Sequence, residues 1–365
     1  MLNPASESEL AEMVRDAGGP LRIIGGGTRD YGRVVRGEGL SVAGLSGISL
    51  YEPGALTLVA QAGTPLAVVE AALTRSHQRL AFEPMDHRAL LDTTGEPTIG
   101  GVVAANISGP RRVQAGAARD YLLGVRFVDG AGQTVKNGGR VMKNVTGLDL
   151  ARLMAGAHGT LGVLTEVAFK VLPQVEATAT LVLRGLDDTR AVAALAAGLG
   201  SPFEVTGAAH DPEAGLTRLR IEGFAASVTY RTGRLVDLLA RFGLAEVVDF
   251  DWAAVRDVVD VAGRAGDVWR LSVKPSDAPA IVARLGMPVR YDWGGGLVWV
   301  LAPEGLDLRR VTGPFAGHAT LIRASAETRA RVQSFQPEPP AHAMLAKGLR
   351  AKFDPRGILN AGLMD

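Results

Sequence analysis

The sequence predicts an α+β protein of two domains, and three observations support that expectation. The chain has 365 residues with a hydrophobic content of 47%, more than one domain of ordinary size contains and sufficient for two cores. Residues 82–173 are dense in glycine, asparagine and small side chains between short strands. After Pro173, predicted strands alternate with predicted helices, which is typical of an α+β domain.

The N-terminal region predicts a short helix followed by strands and glycine turns. Ser6 and Glu9 have the spacing of a capping box at the start of that helix. Residues 21–24 then predict a buried strand that leads directly into the glycines from Gly25. Further on, Thr64 and Pro65 form an N-cap and first-turn pair for a second helix.

The later elements are predicted from the spacing of apolar residues along the sequence. Strands are expected at residues 121–128, 163–171, 180–183, 218–221 and 269–273, and helices at residues 189–199, 233–242 and 344–352. The Gln336-Pro337-Glu338-Pro339-Pro340 segment predicts a stiff linker before the last helix. The region after Pro173 is therefore expected to form a separate domain that ends near this linker.

Composition excludes several classes of function. The balance of 39 Lys+Arg against 38 Asp+Glu, without a basic run, argues against a nucleic-acid partner. The chain has no cysteine, so it can form no disulfide, thiolate zinc site or iron–sulfur cluster by itself. The N-terminus does not resemble a signal peptide, and no apolar run reaches the length of a transmembrane segment. We expect a cytoplasmic protein.

The first motif is Gly25-Gly26-Gly27-Thr28, directly after a predicted strand. Consecutive N–H groups without Cβ atoms form a concavity that suits phosphate oxygens. An ordinary turn is the alternative, because glycine-rich matches are common. The missing Gly-Lys-Ser/Thr ending excludes a Walker loop, and the missing Gly-x-Gly-x-x-Gly helix start disfavours a nicotinamide site.

Three further motifs combine glycines with small residues. In Thr98-Ile99-Gly100-Gly101, continued by Ala104 and Asn106, the small residues would let a flat ligand lie against backbone; a tightly packed helix is the alternative. In Gly116-Ala117-Ala118-Arg119-Asp120, the aspartate could instead cap a loop. In Gly159-Thr160-Leu161-Gly162-Val163, the glycines precede a strand, an order that is wrong for a Rossmann turn.

Together with Gln61-Ala62-Gly63-Thr64, these motifs occur in an order that resembles the FAD-binding domain of the vanillyl-alcohol oxidase superfamily, the PCMH type. The tail from Lys352 to Asn360 resembles the closing motif of FAD-linked 2-hydroxy-acid oxidases in that superfamily. The resemblance implies a two-subdomain FAD-binding domain over residues 1–173, completed by residues 335–365. It also implies an α+β cap domain over residues 174–334.

Three longer stretches narrow the resemblance to the FAD-binding E subunits of bacterial glycolate oxidases. They are Pro84-Met85-Asp86-His87-Arg88, Ser108-Gly109-Pro110-Arg111-Arg112 and residues 140–150. The resemblance implies oxidation of glycolate to glyoxylate in a complex with a second flavoprotein subunit and an iron–sulfur subunit, with membrane association only through that complex. A non-catalytic electron-relay subunit, or a stand-alone oxidase of another 2-hydroxy acid or alcohol, stays open.

The resemblance also implies roles for individual residues. The glycine loop would hold the pyrophosphate, and Gly63-Thr64 with Gly100-Gly101 would border the flavin. Residues 116–120 and 159–163 would line the adenine and ring sides. The cofactor-binding residues expected in this way are Gly25, Gly26, Gly27, Thr28, Gly63, Thr64, Pro84, Thr98, Gly100, Gly101, Ala104, Asn106, Gly116, Ala117, Arg119, Asp120, Gly159, Gly162, Val163 and Asn360.

Departures from the superfamily pattern refine the expectation. Members that tether FAD often carry a histidine where this chain has Thr28, so FAD is expected to bind non-covalently. The metal-binding His-x-x-Gly-Asp-Gly-Asn-x-His stretch and the later Glu-His-Gly are missing, and the six histidines are scattered, so no metal site is expected. No residue stands out as a catalytic base. For a substrate carboxylate the second domain offers Arg220, Arg231, Arg270 and Lys274, although such cations are commonly solvated.

Overall fold

A computed structural model of the chain describes residues 1–140 and 147–365. Residues 141–146, the centre of the motif at residues 140–150, lie outside the described residues. Backbone contacts divide the chain into two compact units. The first unit comprises Met1–Ser108, Ala117–Gln174 and Pro337–Asp365, and the second comprises Gly109–Gly116 and Val175–Gln336. The chain thus passes between the units four times.

The described α-helices range from one turn to four turns. They are α1 Glu7–Asp16, α2 Leu66–Arg75, α3 Arg88–Leu91, α4 Ile99–Ala104, α5 Arg112–Ala115, α6 Leu150–Met154, α7 Asp188–Leu199, α8 Ala225–Leu239, α9 Ala253–Arg256, α10 Ala278–Leu285, α11 Leu308–Thr312, α12 Ala326–Arg331 and α13 Pro340–Phe353. Among them, none combines the length and apolar content that crossing a bilayer requires.

The described strands are mostly short. They are β1 Leu21–Ile24, β2 Glu38–Ser41, β3 Ile48–Glu52, β4 Thr57–Gln61, β5 Gln78–Arg79, β6 Leu122–Val128, β7 Thr134–Gly138, β8 Val163–Lys170, β9 Leu172–Pro173, β10 Ala177–Arg184, β11 Val205–Asp211, β12 Leu216–Gly223, β13 Ala245–Val248, β14 Asp267–Val273, β15 Val289–Asp292, β16 Leu297–Ala302 and β17 Gly317–Arg323.

The first unit is built on a five-stranded antiparallel sheet in the order β3-β4-β8-β6-β7. A separate parallel pair, β1 and β2, lies beside α1, whose buried residues Leu10 and Val14 join Leu21 and Leu40 in one core cluster. The N-cap predicted for α1 is present, because the Ser6 hydroxyl accepts from Glu9 N at 3.2 Å. The Glu9 carboxylate accepts from Ala5 N at 2.7 Å, one residue before the N-cap, so the second bond of a capping box is not the one formed.

The C-terminal segment completes the first unit by bonding to β1. Leu21 N donates to the Ile358 carbonyl at 2.7 Å, and Asn360 N donates to the Leu21 carbonyl at 3.0 Å. The buried Asn360 side chain accepts from Ile23 N at 2.8 Å through Oδ1 and donates to the His158 carbonyl at 2.8 Å through Nδ2. One amide therefore joins the end of the chain, β1 and the loop before β8.

The second unit is an eight-stranded antiparallel sheet in the order β13-β10-β12-β11-β15-β16-β14-β17. Helices α7 and α8 pack on β10, β11 and β12 in one core cluster, and α10 and α11 pack on β14, β15, β16 and β17 in another. Alternation along β14 places Trp269 and Leu271 in the core, so Arg270 between them faces away from it.

The start of α8 differs from the sequence prediction. A helix was expected from residue 233, yet α8 begins at Ala225. The N-cap position is Phe224, which makes no side-chain capping hydrogen bond. The Ser, Thr, Asp or Asn signal that normally marks a helix start is therefore missing from the sequence.

An ion pair attaches residues 109–116 to the second unit. Nε and Nη2 of Arg111 donate to the two carboxylate oxygens of Glu222 at 2.9 and 2.8 Å, and both side chains are buried. Removing one member of such a pair costs about 3–5 kcal/mol because the other charge is left buried. The ion pair therefore gives Arg111, one of the motif residues singled out in the sequence, a structural role.

We expect Asn360→Asp to lower the free energy of unfolding by about 2 kcal/mol. The variant keeps the acceptor for Ile23 N but replaces the donor to the His158 carbonyl with a second, charged oxygen. Urea unfolding followed by circular dichroism measures the change. Asn3→Asp, at an exposed position, is the matched control and should change stability by less than about 0.5 kcal/mol. Equal stabilities of the two variants would contradict the prediction.

Candidate cofactor site

A cleft opens in the first unit where β1 ends. Its empty volume, including the open solvent at its mouth, is about 1060 Å³. The glycine loop after β1, the α4 helix, the loop before β8 and the C-terminal segment all contribute to its walls. Four segments that are distant in sequence thus form one concave surface.

The glycine loop has its shape for two different reasons. A Cβ atom on Gly26 would lie 1.5 Å from the Glu96 carbonyl oxygen, so only glycine allows this approach of the two backbones. Gly27 has φ +68° with no atom within 4 Å of an added Cβ. Its backbone lies in the left-handed region, which favours glycine, while the space beside it is open.

The same loop presents unused hydrogen-bond donors. Within the described part of the chain, the N–H groups of Gly25, Gly26, Gly27 and Thr28 donate to no protein acceptor. Successive free N–H groups in a glycine turn bind anions, and phosphate oxygens in particular. The loop therefore fits the diphosphate of a dinucleotide cofactor.

Helix α4 contributes a surface rather than free donors. Ile99 N donates to the Thr64 carbonyl at 2.9 Å and Gly100 N to the Ala62 carbonyl at 2.8 Å. The Thr98 hydroxyl caps the helix by accepting from Gly101 N at 3.2 Å. Because these donors are all used, the small residues along α4 offer the cleft a flat wall.

The loop before β8 places an uncharged imidazole at the cleft. His158 has φ +52° and packs edge-on against Tyr31, with 5.7 Å between the ring centroids. Burial, and then the positive charge of Arg29, lower the pKa of His158 to about 4. The ring is consequently neutral at physiological pH and supplies no positive charge.

Eleven of the predicted cofactor-binding residues line this cleft. They are Gly25, Gly26, Gly27, Thr28, Gly100, Gly101, Ala104, Gly159, Gly162, Val163 and Asn360. The structure thus brings together the glycine loop, the motif that begins at Thr98, the motif before β8 and the tail. Sequence analysis did not predict fourteen further lining residues, among them Arg29, Tyr31, His158 and Leu363. Arg29 directly follows the Gly25–Thr28 motif and His158 directly precedes Gly159, which is the signal that could have found these two.

The other nine predicted residues do not line the cleft: Gly63, Thr64, Pro84, Thr98, Asn106, Gly116, Ala117, Arg119 and Asp120. Several of these residues form side-chain hydrogen bonds within the protein, which give them a structural role. The buried Thr64 hydroxyl donates to the Gln61 carbonyl at 2.7 Å and accepts from Gly47 N at 2.9 Å. Such residues hold neighbouring loops in place.

Asn106 and Asp120 have comparable structural roles. The Asn106 side chain accepts from Arg119 N at 3.1 Å, and the Asp120 carboxylate accepts from Ala117 N at 2.9 Å. Asp120 thus caps the short 3₁₀ turn before β6, which is the alternative that the sequence left open. Gly116, with φ +93°, belongs to the second unit.

The cations considered for a substrate carboxylate differ in their availability. Arg220 is buried, donates to the Thr206 carbonyl at 3.1 Å and stacks on Trp252 at 4.7 Å from the ring centroid. Arg231 is buried and donates to the Glu222 carbonyl at 2.7 Å. These two arginines are therefore committed to the second unit's own structure.

Arg270 and Lys274 are more accessible. Arg270 is half-buried, and its guanidinium lies 5.2 Å from the Trp293 ring centroid, while Lys274 is exposed.

Within residues 1–140 and 147–365, no group of three His, Asp or Glu side chains is arranged to hold a metal ion.

Comparison with known proteins agrees with the geometry of the cleft. A family model described as an FAD binding domain matches residues 1–138. Glycolate oxidase subunit GlcE of Escherichia coli (strain K12) is 36% identical over 348 residues, which cover 94% of this chain and 92% of that protein. Glycolate oxidase subunit GlcD of Bacillus subtilis (strain 168) is 41% identical over 85 residues, covering 23% of this chain and 18% of GlcD.

The fold has a counterpart among solved structures. An alkyldihydroxyacetonephosphate synthase superposes with a TM-score of 0.69 at 15% identity, covering 98% of this chain and 76% of that chain. The likeness confirms the predicted α+β class and PCMH-type FAD-binding fold. Because the GlcE alignment spans more than nine-tenths of both proteins, the chain belongs to the GlcE family of FAD-dependent oxidoreductase subunits.

Proposed function

We propose that this chain is the FAD-binding subunit of a glycolate oxidase and that it holds FAD non-covalently in the cleft of the first unit. The observation that carries the proposal is the row of N–H groups from Gly25 to Thr28 that donate to no acceptor among the described residues, in a cleft that small residues of α4 also line. The substrate follows from the name of the relative that matches over nearly its whole length, glycolate oxidase subunit GlcE.

Each wall of the cleft would have its own task. The loop from Gly25 to Thr28 would bind the diphosphate, and Gly100, Gly101 and Ala104 would support the flavin. The residues before and within β8, from Gly159 to Val163, would border the adenine side. Bound flavin would supply the hydride acceptor for oxidation of a 2-hydroxy acid.

The remaining assignments rest on the resemblance alone. Pro84, Asn106, Ala117, Arg119 and Asp120 lie in the first unit outside the cleft walls, and we retain them as residues near the flavin ring. We likewise propose that residues 1–173 with 335–365 act as the FAD domain and residues 174–334 as the cap.

The chain would act beside other subunits. A reduced flavin must pass on its electrons, and this chain has no cysteine to hold an iron–sulfur cluster. We propose a second flavoprotein subunit, similar to GlcD, and an iron–sulfur subunit as partners. Helix α13 exposes Met344, Leu345 and Leu349, apolar side chains of the kind that subunit contacts bury.

The decisive functional experiment compares the isolated chain with the assembled complex. We expect the chain to co-purify with a GlcD-like flavoprotein and a cysteine-rich subunit, and the complex to oxidise glycolate with a non-oxygen acceptor. The isolated chain should bind FAD but show little glycolate-dependent flavin reduction. Full-rate oxidation by the isolated chain would instead establish the alternative, a stand-alone oxidase.

An electron-relay role makes a different prediction from substrate oxidation by this chain. If the chain only relays electrons, its flavin becomes reduced by glycolate in the complex but not in isolation. Rapid mixing of isolated holoprotein with glycolate, followed by absorbance of the oxidised flavin, separates the two roles.

We expect acid or heat precipitation to release FAD intact into the supernatant. Thr28 stands where covalent members carry a histidine, and its hydroxyl has no ring nitrogen to attach to the flavin. Flavin fluorescence of the supernatant and of the precipitate measures the partition. Flavin that stays with the washed precipitate would overturn the non-covalent assignment.

Substitution of Gly27 tests the phosphate assignment. Gly27→Asp should weaken FAD binding roughly 100-fold relative to Gly27→Asn, because only the former places a negative charge beside the diphosphate. Both side chains tolerate the left-handed backbone at this position, where space is open, so the pair isolates charge. Titration of apoprotein with FAD, followed by quenching of flavin fluorescence, gives the dissociation constants. Equal constants for both variants would remove the diphosphate from this loop.

A further inference from the structure

Arg29 follows the glycine loop directly and turns its guanidinium into the cleft. One terminal nitrogen, Nη1, lies 3.2 Å from the position that a Cβ on Gly101 would occupy. The other, Nη2, makes a long contact of 3.5 Å with the Met85 carbonyl. The guanidinium thus sits between the glycine loop and α4, where those two walls meet.

The hydrogen-bonding capacity of Arg29 is largely unused. Its Nε is buried and has no acceptor, and Arg29 forms no ion pair with any carboxylate among the described residues. Burial accordingly lowers the pKa of Arg29, although Tyr31 and Asp86 act in the opposite direction. Arg29 is half-buried, and a cation whose buried Nε has no bonded anion is costly, which indicates that a ligand completes the site.

The charges around the cleft indicate the sign of that ligand. Arg22, Arg29 and Arg33 line it, whereas Asp30 is the acidic side chain among its lining residues. Asp30 lies 3.5 Å from Arg22, and both side chains are exposed. The positive charge that remains inside is that of Arg29, because the neighbouring His158 is uncharged.

We propose that Arg29 is the side-chain counter-charge for the FAD diphosphate, donating through Nε and its terminal nitrogens to the phosphate oxygens bound by the glycine loop. The inference deepens the proposed function and rests on it. The N–H groups from Gly25 to Thr28 would donate to the same diphosphate as the guanidinium. An arginine–phosphate pair shielded from water is strong and directional.

Two other roles for Arg29 make different predictions. Arg29 could contact the carbonyl groups of the flavin ring, in which case its removal would change the ring's redox and spectral properties. Arg29 could also serve only to hold the loop, in which case its removal would destabilise the apoprotein and leave the affinity of folded protein for FAD unchanged.

The test replaces Arg29 by Met, which preserves the apolar stem and removes the charge. We expect the dissociation constant of FAD to rise about 10- to 100-fold, the range for a lost charged hydrogen bond. At saturating FAD, the visible spectrum and midpoint potential of the bound flavin should match the wild type, because the diphosphate is remote from the ring. The thermal midpoint of the apoprotein should be equal or higher, since an unpaired buried cation has been removed.

Two further variants make the result interpretable. Arg29→Lys keeps a charge and should bind FAD within about tenfold of the wild type, which also covers the case in which Arg29→Met fails to fold. Arg152→Met removes an exposed arginine of the first unit that pairs with Asp149 at 3.4 Å, away from the cleft. It should leave the FAD affinity unchanged.

The outcomes separate failure of this inference from failure of the proposed function. If the wild-type protein does not bind FAD, the proposed cofactor site itself fails. Two results with a wild type that binds FAD would show that Arg29 is not the counter-charge. One is a folded Arg29→Met variant with an unchanged dissociation constant for FAD. The other is a folded Arg29→Lys variant that loses as much FAD affinity as Arg29→Met is expected to lose. A shift in flavin potential or spectrum would place Arg29 at the ring and overturn the proposal.

Discussion

The side-chain amide of Asn360 is the interaction on which the cleft depends. It accepts from Ile23 N on β1 and donates to the His158 carbonyl in the loop before β8. Asn360 itself has φ +44°, a left-handed conformation that asparagine tolerates better than most residues. Because β1 delivers the glycine loop and His158 adjoins Gly159, one buried amide fixes the separation of two walls. Neither an apolar residue nor a carboxylate of the same size could make both bonds.

The cleft and the ion pair of the second unit treat polar groups in opposite ways. In the second unit, the buried charges of Arg111 and Glu222 neutralise each other at hydrogen-bond distance. In the cleft, the N–H groups of the glycine loop and Nε of Arg29 have no acceptor among residues 1–140 and 147–365. Unsatisfied donors lower the stability of the apoprotein, and a bound anion that satisfies them raises it by mass action. The same groups therefore couple cofactor binding to folding.

Sequence analysis was most successful where a motif acts through its own backbone. A strand followed by Gly25-Gly26-Gly27-Thr28 already specifies a loop with free donors, and the residues of the loop do line the cleft. Glycines and polar residues also recur for packing. Asp120 is a predicted cofactor-binding residue, and in the structure its carboxylate caps a turn. Local sequence does not distinguish these two uses, because both require a short polar side chain beside a tight turn.

The sequence by itself determined local chemistry: the Ser6 N-cap of α1, the donor-rich glycine loop after β1, and the absence of cysteine. The tertiary structure alone decided which of these elements share a cleft. Gly26 is required by the carbonyl of Glu96, and the position of Asn360 is determined by bonds to residues 337 and 202 positions away. Hydrogen-bonding capacity is a property of each residue, whereas its hydrogen-bond partner depends on which distant segments the fold brings next to it. Arg29 became a candidate for that reason, since only packing shows that its guanidinium is buried without a carboxylate.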